Sequence, residues 1–441
     1  MSLTTPESIG RLQRKLYCKA KAEPGFRFYL LYDKICREDM LFHAWRLCRA
    51  NGGAPGVDGV SFEAIEEGGQ EEWLAGLRTE LVGKTYRPAP VRRVLIPKPG
   101  GGERALGIPT IRDRVVQAAA KLVLEPIFEA DFEDSAYGYR PRRGGIDAIK
   151  EVHRCVLQGY TDVVDADLSK YFDTIPHREL MGSVARRIVD RHVLRLIKLW
   201  LRAPVEERDG DGGRRMGGGR ENTRGTPQGG VISPLLANLY MNRFLKYWRQ
   251  RDCSSTFQAQ LVSYADDFVI LSRGHAAQAK EWAKSTLARL GLTLNEEKTA
   301  LRDARQERFT FLGYAFGPHR LRRDGSWYLG ASPSSRSVQR CKAAVSELLV
   351  AGNMAPWEEI RDKLNRLIRG WTAYFSYGSC ALAYRELEHY VWHCVHRFLR
   401  RRHKADRGGN PDCGGNPDLD VFGRRGVLRP KMLRVSPWAG R

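Results

Sequence analysis

Asp266 and Asp267 are adjacent carboxylates set between two short runs of strand-forming residues, Gln260-Leu261-Val262-Ser263-Tyr264 and Phe268-Val269-Ile270-Leu271. β-Branched, aromatic and aliphatic residues suit a pleated, packed surface, and Ala265-Asp266-Asp267 is short and polar enough to be the bend of a β-hairpin. Such a bend holds two charges side by side on a rigid support. Partly buried neighbouring carboxylates repel one another unless a cation lies between them, which points to a divalent metal site. A solvated turn accounts for the pair equally well, since Asp is an ordinary turn residue. The rest of the chain has to decide.

More acids lie upstream in Thr161 to Leu168, where Asp162, Asp165 and Asp167 precede Asp173. That segment alternates as a strand does, so Asp165 and Asp167 share a face, and periodicity alone leaves open which acid reaches the hairpin. Cations come from residues 92–109, in which strand-like arms flank Pro99-Gly100 and carry Lys98 and Arg104 toward one another. Two cations at a hairpin tip can hold a triphosphate, although a solvated surface hairpin has the same composition. Gly229 and Gly230 follow Thr226-Pro227-Gln228 and remove side chains where a helix begins, which serves either a ligand near the backbone or a tight loop. The loop Ser135 to Pro141 holds Tyr137, Tyr139 and Arg140, the aromatic and basic mixture that stacks on and neutralises nucleic acid.

Periodicity outlines the elements that must position these side chains. Helical spacing of apolar residues from Thr4 to Arg49 is followed by the Gly-rich loop Asn51 to Val60. Further helices are expected at Arg112–Phe128, Leu180–Leu201, Leu235–Trp248 and Ala276–Leu290, interleaved with strands at 161–168, 260–271 and 309–314. This is an α+β order. Past a linker at 330–335, three helical stretches (Arg336–Val350, Trp357–Phe375, Leu382–Arg402) read as a small basic unit. The Gly-, Pro- and Arg-rich tail from His403 to Arg441 is expected to have limited order without a partner.

A chain of 441 residues with 42% hydrophobic content can build two or three domains. Its 73 Lys and Arg against 51 Asp and Glu leave a net charge of +22, far beyond what solubility needs, so a polyanionic partner is expected. Nine dispersed cysteines without a CxxC pair fit reduced thiols and give no support to a structural zinc or disulfide framework. No apolar run reaches spanning length and no leader pattern opens the chain, so no membrane partner is expected.

Read in order, Gly56-Val57-Asp58-Gly59, Ile96-Pro97-Lys98, Leu106-Gly107-Ile108-Pro109, Tyr137-Gly138-Tyr139-Arg140-Pro141, Asp167 to Asp173, Thr226 to Pro234, Tyr264-Ala265-Asp266-Asp267, Glu297-Lys298-Thr299 and Phe311-Leu312-Gly313 form one series. With that series the chain resembles the reverse transcriptases encoded by bacterial group II introns, the intron maturases, over about nine-tenths of its length. The resemblance implies an α+β right-hand polymerase whose fingers and palm carry antiparallel sheet, plus an α-helical thumb. Its expected parts are an N-terminal helical extension over 1–60, fingers and palm over 61–330, a thumb or maturase domain over 331–402 and a basic tail over 403–441. The tail would be the remnant of a DNA-binding region, without the paired cysteines and histidines of an endonuclease.

The implied reaction is RNA-templated addition of deoxynucleotides to a primer 3′-hydroxyl, joined to binding of intron RNA for splicing and retromobility. Among the competing acids the resemblance selects Asp167, which with Asp266 would be the principal ligand of two Mg2+ ions, Mn2+ being able to substitute. Asp267 would complete the cluster, Asp173 would be structural, and Lys298 would protonate the leaving pyrophosphate. Lys98 and Arg104 would clamp the triphosphate, with Gln228 and Gly229 beside the nucleotide. Phe172 would exclude a 2′-hydroxyl. Tyr264 would support the primer end, and Tyr139 and Arg140 would contact primer and template. Expected partners are therefore an RNA template, intron RNA, a DNA primer or target and dNTPs, in the bacterial cytoplasm or at the nucleoid, with the oligomeric state open. The rivals are a related polymerase detached from any intron, working in defence or repair, and a splicing factor that has lost polymerisation.

Overall fold

The strand-forming segments assemble into three small sheets in a computed structural model that describes residues 3–97, 102–208, 213–321, 323–406, 421–423 and 425–433. In chain order the strands are β1 (Val91–Pro97), β2 (Glu103–Ile108), β3 (Asp162–Asp167), β4 (Pro204–Arg208), β5 (Arg214–Gly218) and β6 (Ala259–Tyr264). They continue with β7 (Asp267–Ser272), β8 (Ala300–Asp303), β9 (Phe309–Phe311), β10 (Tyr314–Arg320) and β11 (Trp327–Pro333). One sheet runs β2-β1-β4-β5, a second β6-β7-β3-β8, and a third β11-β10-β9. The expected α+β class is the one formed.

The second sheet carries the acids and is antiparallel throughout. It is covered on both faces, which is why β7 reads as a continuous apolar run rather than an alternating one. Phe268 and Ile270 face the larger core, where the Phe268 ring lies 5.4 Å from Phe244 on helix Ser233–Gln250. Phe244 in turn lies 5.8 Å from Trp282 on helix Ala276–Arg289. Val163, Val262, Val269 and Leu271 face the other way, against Val152 of helix Gly145–Leu157 and Phe309 and Phe316 of the third sheet. Two packed faces leave the sheet no freedom to slip, because a one-residue shift would exchange every inward side chain.

Residues 3–60 are built into this core rather than appended to it. Ile9, Leu16, Leu41 and Trp45 share one cluster with Val116 and Phe128 of helix Ile111–Glu129. The Asp190 carboxylate accepts the Leu31 and Tyr32 N–H groups at 2.9 Å each, and also caps helix Arg191–Leu201 through the N–H groups of His192 and Val193. Four donors hold its pKa below the usual carboxylate range, against the effect of burial.

Three helices, Ser335–Leu348, Trp357–Tyr374 and Ala381–Asp406, close on a separate core of Val345, Ile360, Leu364, Ile368, Val391 and Val395. The expectation of limited order for the whole tail needs correction. Val421 and Val427 are buried against these helices, Asn365 Nδ2 donates to the Gly426 carbonyl at 2.9 Å, and Leu428 N–H donates back to Asn365 Oδ1 at 2.9 Å. Scattered apolar residues in a Gly- and Arg-rich segment were too few to show a period, but Val421 and Val427 join the core of the three helices, with Phe422, Leu428 and Leu433 packed against it. The tail's Gly-Asn-Pro-Asp repeat and Pro437-Trp438-Ala439 lie outside the described residues. No described helix is long and apolar enough to cross a membrane.

Candidate active site

The register of the acidic sheet brings the carboxylates together. Asp167, the last residue of β3, stands directly opposite Asp267, the first of β7, and Asp267 is also opposite Tyr264, the last of β6. Asp266 occupies the two-residue turn with Ala265, whose φ of 59° is the left-handed start that matches the twist of a tight hairpin. Asp267 is thus a strand residue rather than part of the bend. Asp165 lies one pleat further in, opposite Val269, and Asp162 is spent at the far end of β3, accepting the Gly274 N–H at 2.5 Å. Asp173 is exposed on the short helix Tyr171–Thr174.

Packing carboxylates at one sheet end is costly, and their protonation shows it. Asp267 is pushed up to about 7, first by loss of hydration and then by the charges of Asp266, Asp167 and Asp165. Asp266 is raised as well, mainly by burial, with Asp167 adding to the rise and Arg104 and Lys298 opposing it. Asp165 is pushed up to about 6 by burial, which Arg302 counters and Asp167 reinforces. Lys298 answers part of this charge: its ammonium lies 2.9 Å from Asp167 Oδ2. Asn295 fixes the same acid, its N–H meeting the Asp167 carbonyl at 2.8 Å and its Nδ2 approaching Oδ2 at 3.4 Å. Among the described residues no three His, Cys, Asp or Glu side chains converge as a ready-made metal cage.

The remaining expected residues surround the acids from several elements. Arg104, opposite Ile96 in the β1–β2 hairpin, is near enough to act electrostatically on both Asp266 and Tyr139. Lys98 lies outside the described residues. Phe172 is half-buried, its ring 5.8 Å from that of Tyr171, whose hydroxyl donates to the Ala237 carbonyl at 2.6 Å. Gln228 is half-buried, and its carbonyl accepts the Gly107 N–H at 2.6 Å, tying the loop to β2. Gly229 has a φ of 115° and comes so close that an added Cβ would sit 2.3 Å from the Gly107 oxygen. Its glycine is demanded by that backbone contact.

The loop Ser135–Pro141 divides in two. Tyr139 is 47% exposed, its ring 6.5 Å from Tyr264, and together they form an aromatic lip beside Asp266. Arg140, in contrast, is not brought to the surface of the site. It is 8% exposed, its Nη2 lies 2.7 Å from Glu129 Oε1, and its Nη1 donates to the carbonyls of Glu133 and Ala136. The expected nucleic-acid contact is therefore corrected to an internal clamp, because three acceptors already surround the guanidinium. Gly138 was missed as a site residue. A Cβ there would lie 2.4 Å from the Ala265 nitrogen, so only glycine lets the loop lie against the acidic turn. Flanking hydrogen bonds, Tyr137 N–H to Ser263 O and Ser263 N–H to Ser135 O, both 2.8 Å, seal the loop along β6. A glycine wedged between Tyr137 and Tyr139 was the one available signal.

Comparison with known proteins adds sequence-wide likeness to this geometry. Residues 96–316 match the reverse transcriptase (RNA-dependent DNA polymerase) family, and residues 338–411 match the group II intron maturase-specific domain. The chain is 37% identical to protein YkfC of Escherichia coli (strain K12) over 357 residues, which is 73% of this chain and 90% of that protein. It is 30% identical to the group II intron-encoded protein LtrA of Lactococcus lactis subsp. cremoris over 362 residues, covering 68% of this chain and 58% of LtrA. A third relative, an uncharacterized 91 kDa protein in the cob intron of Schizosaccharomyces pombe, is 26% identical over 428 residues, 79% of this chain and 51% of that one.

Proposed function

The chain belongs to the reverse transcriptases of group II introns, with their maturase-specific domain, and from that premise we propose how its own residues carry out the polymerisation. As a family member it is an RNA-directed DNA polymerase with a part in splicing. The observation that carries the finer reading is the register that sets Asp167 opposite Asp267 beside Asp266 in the turn.

The donor set fits a hard divalent cation. Its three carboxylates offer only oxygen, their mutual repulsion raises Asp266 and Asp267, and a lysine already balances Asp167. Asp167, Asp266 and Asp267 would hold two Mg2+ ions, closing up as their repulsion is neutralised. Bound there, the ions supply positive charge to the triphosphate and lower the pKa of the primer 3′-hydroxyl. Arg104, with Lys98, binds the triphosphate from the fingers. Phe172 presents its ring to the sugar and excludes a 2′-hydroxyl, while Tyr264 and Tyr139 support the primer end by stacking. Lys298 Nζ, already at the acids, delivers the proton that the departing pyrophosphate oxygen takes up.

The basic thumb grips intron RNA, and the same complex serves retromobility by copying RNA at a DNA target. With those partners its place of work is the bacterial cytoplasm and nucleoid. The test is primer extension on an RNA template with Mg2+, comparing the wild type with Asp266→Asn. Loss of at least about a thousandfold in rate is expected if the acids organise the reacting phosphate; equal rates would sink the assignment.

A further inference from the structure

His177 opens the helix His177–Ala185, is 7% exposed and faces a loop rather than the acids. Its Nε2 lies 2.6 Å from the Gly225 carbonyl oxygen. A carbonyl only accepts, so Nε2 carries the hydrogen. The N–H of the same peptide group, that of Thr226, donates to the Phe172 carbonyl at 2.7 Å. One peptide plane is therefore pinned at both ends, by His177 through its oxygen and by Phe172 through its nitrogen. The pairing extends on either side: Gly225 N–H to Ile175 O at 2.8 Å and His177 N–H to Thr223 O at 2.9 Å.

The pinned plane is the weak point of that pairing. Gly225 has a φ of 87°, and an added Cβ would lie 3.0 Å from the Asp173 oxygen, so glycine is needed for the approach. Glycine also rotates with little steric resistance, so nothing intrinsic to it keeps the following peptide facing Phe172. His177 supplies that restraint. Its imidazole is buried, and burial holds its pKa below the ordinary histidine value. No charge is brought near the nucleotide by this contact.

We infer that His177 is a positioning residue for sugar selection: by donating Nε2–H to the Gly225 carbonyl, it holds the Gly225–Thr226 peptide in the orientation that fixes the backbone of Phe172. This rests on the reading of Phe172 as the residue that excludes a 2′-hydroxyl. Without the donor the peptide turns, the Phe172 carbonyl loses its partner, and the ring has room to yield to a ribose.

The experiment compares kcat/KM for dTTP and UTP on poly(rA)/oligo(dT) with Mg2+, using the wild type, His177→Leu, His177→Asn, His177→Gln, Phe172→Ala and the double variant Phe172→Ala/His177→Leu. His177→Leu fills the volume without a donor, and His177→Asn keeps polarity but stops short of the carbonyl. Each is expected to lower the preference for dTTP by about tenfold, the scale of one lost hydrogen bond. Gln, whose Nε2 reaches as far as the imidazole Nε2, restores the preference to within about twofold, and the double variant matches Phe172→Ala alone. Phe172→Ala relaxing the preference while both donor-loss variants keep it overturns the role of His177 only. An unchanged preference in Phe172→Ala overturns the reading of Phe172 and this inference with it. A lowered melting temperature with dTTP and UTP use falling in proportion marks a merely structural histidine and also overturns it.

Discussion

Asp267 is the residue on which the site's electrostatics turn. Its carboxyl is pushed up to about 7, well above the value of an unfolded chain, so the folded protein retains a proton there that the unfolded chain has already released. The contribution of this group to stability is therefore greatest at low pH and falls as pH rises through the interval from the ordinary carboxylate range to about 7. A divalent cation held by the proposed acids would offset that loss. The rise in melting temperature on adding Mg2+ is expected to be small near about pH 5, where the proton competes, and to grow toward about pH 8. Asp266→Asn should remove most of it; an undiminished, pH-independent rise in that variant would count against the carboxylates as the binding groups. At this scale the adjacent pair was plain from composition, whereas the partner acid was not. Asp165 and Asp167 share a face, and only the register of β3 against β7 shows that Asp167 reaches the hairpin while Asp165 stays one pleat behind it.

At the scale of elements, the acidic hairpin owes its position to a loop that makes no charge contribution. Gly138 lies against the Ala265 backbone, and the Gly138 carbonyl is held by buried Asn238 Nδ2 at 2.6 Å from helix Ser233–Gln250. Loop and helix thus grip the turn between them. Gly138→Ala must push the turn or the loop away, since the atoms it meets are backbone. A loss of primer extension of about a hundredfold is expected, because sub-ångström placement governs reactions of this kind. Near-normal activity with an unchanged melting temperature would mean that the contact does not set the turn. The hairpin itself was legible from its two apolar runs and polar bend. The loop was legible as a loop, but its aromatic and basic composition pointed outward, and Arg140 turns inward to Glu129. Composition reports which side chains are present; direction depends on which acceptors the fold leaves nearby.

The whole molecule carries +22 net charge, and part of it lies along the C-terminal three-helix unit, where Arg385, Arg397 and Arg400 are exposed on one long helix. Phosphate contacts release counterions, so the affinity for RNA should fall steeply with salt, and replacing these three arginines with alanine should reduce the log–log slope by about 2 to 3. An unchanged slope in a filter-binding or fluorescence titration would place the RNA on another surface. The sequence by itself determined the α+β class, the acidic hairpin, the basic character and the family resemblance, because these rest on residue type, order and short-range period. Tertiary structure alone decided which acids converge, that Lys298 meets Asp167, that Arg140 is a clamp, that Gly138 supports the turn and that the tail residues Val421 and Val427 seat on the three C-terminal helices. Apart from the Arg140 clamp, which closes within its own loop and the preceding helix, each of these joins elements far apart in the chain, and contacts of that kind are set by strand register and by packing on both sheet faces, which no local pattern records.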